Sequence, residues 1–152
     1  MNTLFILNDP PYGTERSYNA LRLARQLLKA REKDVKVFLI GDAVACAKAG
    51  QKVAQGWYNI GDMLGRIVRA GGEIGVCGSC LDARGISAGE LLEGAPPSSM
   101  ENLTSWTQWA SLQSGTPGHF DSHPEGVEAF RHFASGQFGK GRNHSLRSSR
   151  SH

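Results

Sequence analysis

The chain has 152 residues, 39% hydrophobic and 20% charged, which supports one soluble domain with a sizeable core and no need of disulfide or metal support. No stretch approaches the ~18 uninterrupted apolar residues of a membrane span, and the opening MNTLFILNDPP carries an acid and two prolines where a signal peptide needs a basic start and a longer apolar run. The net charge of +3 is spread thinly, the first 110 residues holding 12 Lys/Arg against 11 Asp/Glu, and no basic run interleaved with aromatics occurs, so nucleic acid is not an expected partner.

Taken in chain order, TLFILN (3–8) is a short apolar run closed by Asn-Asp-Pro-Pro, and VKVFLI (35–40) is a second one closed by Gly-Asp. Near-continuous hydrophobicity in both predicts strands covered on two faces, as in a parallel sheet. Between them Thr14 is placed to cap a helix with Tyr18, Ala20, Leu21, Leu23, Leu27 and Leu28 inward and Arg22, Arg25, Lys29 and Glu32 outward, completing a β-α-β unit. The segment 41–57 is rich in glycine and small residues; YNIGDMLGRIVRA (58–70) follows as a second helix with Ile60, Met63, Leu64, Ile67 and Val68 inward, weakened by Gly61 and Gly65. Gly71-Gly72 ends it, and EIGVC (73–77) is a third strand with Cys77 at its carboxyl end. Ser98, with Glu101 three residues on, has the spacing of a capping box opening a helix with Met100, Leu103, Trp106, Thr107 and Ala110 on one side.

From Ser111 the texture changes. The remainder is rich in Gly, Ser and His, holds all five histidines and contains no strand-like run; EGVEAFRHFA has the look of a short helix, and the closing GKGRNHSLRSSRSH is low-complexity. The expected division is therefore an α/β domain over residues 1–112 and an atypical, disordered or poorly packed tail over 113–152.

Three cysteines, an odd number and too few for a secreted disulfide framework, predict reduced thiols and a cytoplasmic protein. In an open parallel sheet, sites form beyond the carboxyl ends of the strands, where loops converge and helix amides point into the crevice. Cys77 and Cys80 fall on that edge, and a thiol preceding a turn that starts a helix meets partial positive charge that lowers its pKa. Arg84 would add to that effect; Asp82 would oppose it at close range. Asp9 and Asp42 close the first two strands and are read first as turn residues. Tyr12, Trp57 and Tyr58 are candidates either to cover the crevice or to pack helices, and Cys46 is assigned to packing.

The C-x-x-C spacing leaves several chemistries open. Zinc needs about four ligands, of which this motif supplies two, so no metal is expected. A thioredoxin-like dithiol normally opens a long helix, whereas here Gly85 interrupts it. The alternative to any of these is a pair of small buried hydrophobes. No Ser-His-Asp order, phosphate-binding glycine loop or dinucleotide fingerprint is present, and no cofactor is expected.

Together the blocks LNDPPYGTERSYNALRLA, VFLIGDAVACAKAGQK, GWYNIGDML and VCGSCLDARGIS resemble the DsrE/DsrF-like superfamily, most closely its YchN-like branch, over about residues 3–110. The resemblance implies an α/β three-layer sandwich with a mainly parallel central sheet, assembled as homotrimers or homohexamers. It also implies a cytoplasmic sulfur-relay role, sulfurtransferase or sulfur carrier, with sulfane sulfur held as a persulfide on Cys77. Cys80 is then an acceptor or resolving thiol, and Asp82 and Arg84 of C-x-x-C-x-D-x-R-G complete the candidate site. Protein sulfur donors and acceptors are the implied partners, with neither nucleic acid nor membrane among them. The alternative is a non-catalytic oligomeric interaction module whose C-x-x-C is redox-sensing or structural. Family members finish on a short hydrophobic strand that nothing in 111–152 matches, so the sheet is expected to be one strand short, and Pro96-Pro97 weakens a fourth strand.

Overall fold

The computed structural model describes residues 2–30, 34–111 and 127–131. Its elements are β1 (Asn2–Leu7), α1 (Arg16–Lys29), β2 (Asp34–Leu39), α2 (Ile60–Arg69), β3 (Glu73–Cys77), the one-turn helix α3 (Gly78–Asp82), β4 (Pro97–Ser98), α4 (Met100–Ser111) and β5 (Val127–Arg131). The sheet order is β4-β3-β2-β1-β5, with β1 to β4 parallel and β5 antiparallel to β1. This is the expected three-layer α/β architecture. β1 is buried at every position, which is why residues 4–7 run apolar without alternation, with Asn2 and Thr3 as buried polar residues at its start.

Side chains alternate across β2, so Val35, Val37 and Leu39 share one face while Lys36 and Phe38 share the other. α4 covers the second face. Trp106 meets Phe38 edge-on at 5.9 Å between centroids, and the Lys36 ammonium lies 4.9 Å from the Trp106 ring and 4.5 Å from that of Trp109 while pairing with Glu73 at 3.1 Å. Gly75 makes this approach possible: a Cβ there would stand 3.1 Å from both Trp106 and Phe38.

α1 and α2 pack against each other. Asn59, not an earlier residue, caps α2, its Oδ1 accepting the Asp62 N–H at 3.1 Å. Thr14 does not cap α1, which starts after Glu15 without a side-chain cap; its hydroxyl instead donates to Asp9 at 3.4 Å, where Arg16 also binds at 3.2 Å. Leu23 is also turned outward, 36% exposed, because it stands two residues from the buried Leu21, roughly 200° around the helix. For α4 the cap is Ser99, whose Oγ accepts the Asn102 N–H at 3.2 Å; Ser98 instead accepts from the Asn102 side chain at 2.7 Å, so the expected Ser98–Glu101 capping box does not form.

Two expectations about the sheet are corrected. Pro97 does enter a fourth strand: β4 is two residues long at the sheet edge, and the Val76 N–H finds the Pro96 carbonyl at 3.1 Å, a geometry that needs no proline N–H. Residues 127–131, expected as part of a helix in a tail without a strand, pair with β1 from Thr3↔Arg131 to Leu7↔Val127, so the sheet has five strands and is not one short. The physical cause is the open edge of β1, whose buried backbone groups need partners. Apart from this strand, the tail reading lies outside the described residues. Among the described residues no helix is long and apolar enough to cross a membrane.

Candidate functional site

The loops after β1, β2 and β3 meet at the carboxyl edge of the sheet. The Ile40 N–H continues the β1–β2 ladder to the Leu7 carbonyl at 3.0 Å, the chain then turns through Gly41 into a 3₁₀ segment over Gly41–Ala47, and α3 rises from the end of β3 beside it. Cys77 is the last residue of β3 and the residue before α3; Cys80 lies on α3. The strand-end placement expected from sequence is the one observed.

Cys77 is 2% exposed, and Ser79 beside it is exposed. Its Sγ lies 3.3 Å from the Ser79 Oγ. Burial pushes the Cys77 thiol up; the Ser79 hydroxyl, the Cys80 thiol and the backbone amides of Cys80 and Ser79 together outweigh burial and hold it below the ordinary value. No amide closes a full capping hydrogen bond on the sulfur, so these N–H groups act as nearby dipoles rather than as a formal cap.

Cys80 titrates in the opposite direction. Burial and the hydrogen bond to the Cys77 sulfur raise it, and a Cys77 thiolate raises it further by repulsion, while the Gly41 N–H and Arg84 pull it down by less. The two thiols therefore form a coupled pair in which Cys77 ionises first and Cys80 keeps its proton. The Gly41 N–H donates to the Cys80 Sγ at 3.2 Å.

Arg84 lies beside Cys80 rather than Cys77. Its Nε and Nη2 donate to one oxygen of Asp42 at 3.1 and 2.8 Å, and its Nη1 donates to the Cys80 carbonyl at 3.1 Å. Asp82 ends α3 exposed to solvent and hydrogen-bonds neither sulfur; its carbonyl accepts the Gly85 N–H at 3.1 Å in the turn that stops the helix. Gly85 adopts φ +61 there, a conformation that glycine takes without strain.

Of the two strand-closing aspartates, Asp9 is a turn and helix-entry residue bonded by Thr14, Arg16 and Ser17. Asp42 belongs to the thiol site through Arg84. Cys46 is fully buried, with its thiol 3.7 Å from the Asp9 carbonyl and its pKa pushed up to about 12 by burial, a packing residue as expected. The aromatics pack the α1–α2 side: Tyr18 stacks on Tyr58 at 4.1 Å, Tyr12 lies 6.0 Å from Tyr58 and donates to Gln51 at 2.7 Å, and Trp57 stands 71% exposed. Among the described residues no three His, Cys, Asp or Glu gather as a metal site; the histidines lie outside them.

Sequence reasoning missed Ser79 and Gly41. Ser79 lies inside the C-x-x-C spacing, where any helix-starting residue was acceptable; Gly41 acts through its backbone, and its partner is 39 residues away. The only available sign was a glycine directly after a strand.

The model of the DsrE/DsrF-like family matches residues 1–112. Protein YchN of Escherichia coli is 36% identical over 105 residues, covering 68% of this chain and 89% of that protein. An uncharacterised protein of Methanopyrus kandleri is 37% identical over 103 residues, covering 68% and 84%. The crystal structure of the Escherichia coli YchN protein superposes with a TM-score of 0.65 at 36% identity, covering 69% of this chain and 89% of that one.

Proposed function

Because the chain belongs to the DsrE/DsrF-like family, we propose that it is a sulfur-relay protein that carries sulfane sulfur as a persulfide on Cys77. The observation that carries this reading is the place of the Cys77 sulfur, at the end of β3 and 3.3 Å from the Ser79 hydroxyl at the start of α3, where these groups hold its pKa below the ordinary value while that of Cys80 is raised. A thiolate is the attacking form of cysteine, so Cys77, the more readily ionised of the two, is the nucleophile.

The Cys77 thiolate attacks the outer sulfur of a donor persulfide, R–S–SH; the donor S–S bond breaks, a new one forms on Cys77, and the donor leaves as R–S⁻. An acceptor thiolate then takes the outer sulfur by the same exchange and returns Cys77 to its thiolate. No external oxidant or reductant enters either step. The Ser79 hydroxyl and the amides of residues 79 and 80 stabilise the negative charge on the departing Cys77 sulfur. Cys80 serves as first acceptor or as resolving thiol. Protein donors and acceptors, a homo-oligomeric assembly and a cytoplasmic setting, where thiols stay reduced, belong to the same proposal. A Cys77→Ser chain tests it: sulfur uptake from a persulfide donor is lost while the fold is kept.

The 2% exposure of Cys77 favours one other reading, a non-catalytic module in which the dithiol is structural or redox-sensing. The same variant separates the two. Under the second reading, Cys77→Ser leaves partner binding intact and the unaltered chain takes up no sulfur.

A further inference from the structure

Cys80 faces a different wall of the site from Cys77. The Gly41 N–H points at its sulfur from 3.2 Å, across the gap between the β2 loop and α3. Gly41 holds φ +59, a left-handed turn that a side chain would strain, and it carries the chain from the end of β2 into the 3₁₀ segment while its N–H faces the Cys80 sulfur. Arg84 bridges the same gap. Through Asp42 it grips the residue next to Gly41, and through the Cys80 carbonyl it grips the residue that carries the sulfur. One side chain thus ties the donor loop to the acceptor helix at both ends.

We infer that the Gly41 N–H is the second charge-holding group of this site, receiving the negative charge at Cys80 once the Cys77 sulfur is tied up in an S–S bond, with Arg84 as the positioning residue that keeps donor and sulfur in register. The inference rests on the persulfide reading only for the identity of the group on Cys77. The pair carries one negative charge with two resting places. While Cys77 is free, the charge sits there and a second ionisation next to it is opposed. A covalent S–S bond at Cys77 removes the thiolate that kept Cys80 protonated; burial still opposes the Cys80 anion, but the Gly41 amide and the Arg84 guanidinium now act on it without that repulsion and lower its pKa from where the free pair holds it. The ionisable groups near Cys80 are Cys77, Arg84 and, behind Arg84, Asp42; Asp82 on the same helix is exposed.

The consequence is an ordered reaction. With sulfur loaded as Cys77–S–SH, the Cys80 thiolate attacks the inner sulfur; the S–S bond to the outer sulfur breaks, the Cys77–Cys80 bond forms and HS⁻ leaves. The two cysteines are oxidised to a disulfide and the sulfane sulfur is reduced to sulfide, so electrons balance within the site, and a dithiol reductant is needed only to reset it. Attack on the outer sulfur by the same thiolate instead moves the persulfide to Cys80 and returns Cys77 to its thiolate. Either way Cys80 acts after Cys77, never before it.

The test needs no sulfur donor, so it fails or succeeds independently of the persulfide reading. In a Cys77→Ser chain, where the neighbour is a neutral hydroxyl, Cys80 is titrated by the pH dependence of its alkylation by iodoacetamide, and the Gly41 amide is followed by proton–nitrogen NMR. The expected result is a Cys80 midpoint shifted to lower pH than in the unaltered chain, with the Gly41 amide resonance moving at that same midpoint. In the Arg84→Gln, Cys77→Ser double variant, the midpoint shifts back up and the Gly41 response shrinks. A Cys80 midpoint that stays where it is in the unaltered chain, or a Gly41 resonance that does not follow it, overturns the inference.

Discussion

The Sγ of Cys77 and the Oγ of Ser79 lie 3.3 Å apart, joining the last residue of a buried strand to an exposed residue of the turn that follows. This contact links the Cys77 sulfur to a residue at the surface. It is also the largest of the influences that lower the Cys77 pKa, ahead of the Cys80 thiol and the amides.

Removing that hydroxyl should therefore leave only the Cys80 thiol and the amides of residues 79 and 80 against burial. Ser79→Ala raises the pH midpoint of Cys77 alkylation, and the reaction at neutral pH slows; Ser79→Thr, which keeps the hydroxyl, holds the midpoint near its original place. An unchanged midpoint in Ser79→Ala would remove Ser79 from the account.

Asp82 gives the opposite expectation. It is part of the sequence motif, yet it is exposed and touches neither sulfur. Asp82→Asn leaves the Cys77 titration and the rate of sulfur loading unchanged. A large fall in either rate would mean that this carboxylate reaches the site.

Cys46 links burial to pH dependence of stability. Its thiol is raised from 9.0 to about 12 in the folded chain. Above pH 9 the unfolded chain releases this proton while the folded chain keeps it, so its contribution is fully present below that pH and stability falls as pH rises, by about 1.4 kcal/mol per pH unit until the folded thiol itself ionises. Denaturant melts between pH 8 and about pH 11 would show a shallower slope in Cys46→Ala than in the unaltered chain. Equal slopes would contradict the burial of this thiol. In the folded protein below pH 9, Cys46 also resists alkylation.

Packing over the second face of the sheet turns on Gly75. An added methyl would stand 3.1 Å from Trp106 and from Phe38, and the sheet and α4 enclose it on both sides. Gly75→Ala costs about 1–3 kcal/mol of stability by overpacking, and Trp106→Ala about 3–5 kcal/mol by leaving a cavity. Urea melts of the two variants check both values; a neutral Gly75→Ala would mean that α4 shifts freely on the sheet.

Much of the frame was legible in the sequence for a physical reason. Strands covered on both faces must be apolar along their whole length, so residues 3–8 and 35–40 announce themselves, and the strand Glu73–Cys77 starts after a glycine pair and ends on the thiol as expected. The helix Ile60–Arg69 was legible despite Gly61, because Ile60, Leu64 and Ile67 keep the helical spacing; what the glycine accommodates, the Asn59 cap oxygen 3.2 Å from where a Cβ would stand, is invisible to periodicity. Edges were harder. The two-residue β4 contains the proline that argued against it, and β5 is a strand because the edge of β1 lacks a partner, a property of the sheet rather than of Val127–Arg131. At the site, Cys77 and Cys80 followed from placement alone. Arg84 was assigned to the wrong sulfur, since its partner Asp42 lies 42 residues away and only the fold brings the two together.

The most direct measurement is residue-level mass spectrometry of the intact chain after brief incubation with a small-molecule persulfide donor, thiols being blocked afterward under conditions that preserve S–S bonds. The account predicts one added sulfur atom on the peptide carrying Cys77, or a Cys77–Cys80 disulfide formed from it with release of sulfide, and an unmodified Cys46. A chain that gains no sulfur and forms no such disulfide, or that gains sulfur on Cys46 with Cys77 untouched, would contradict it.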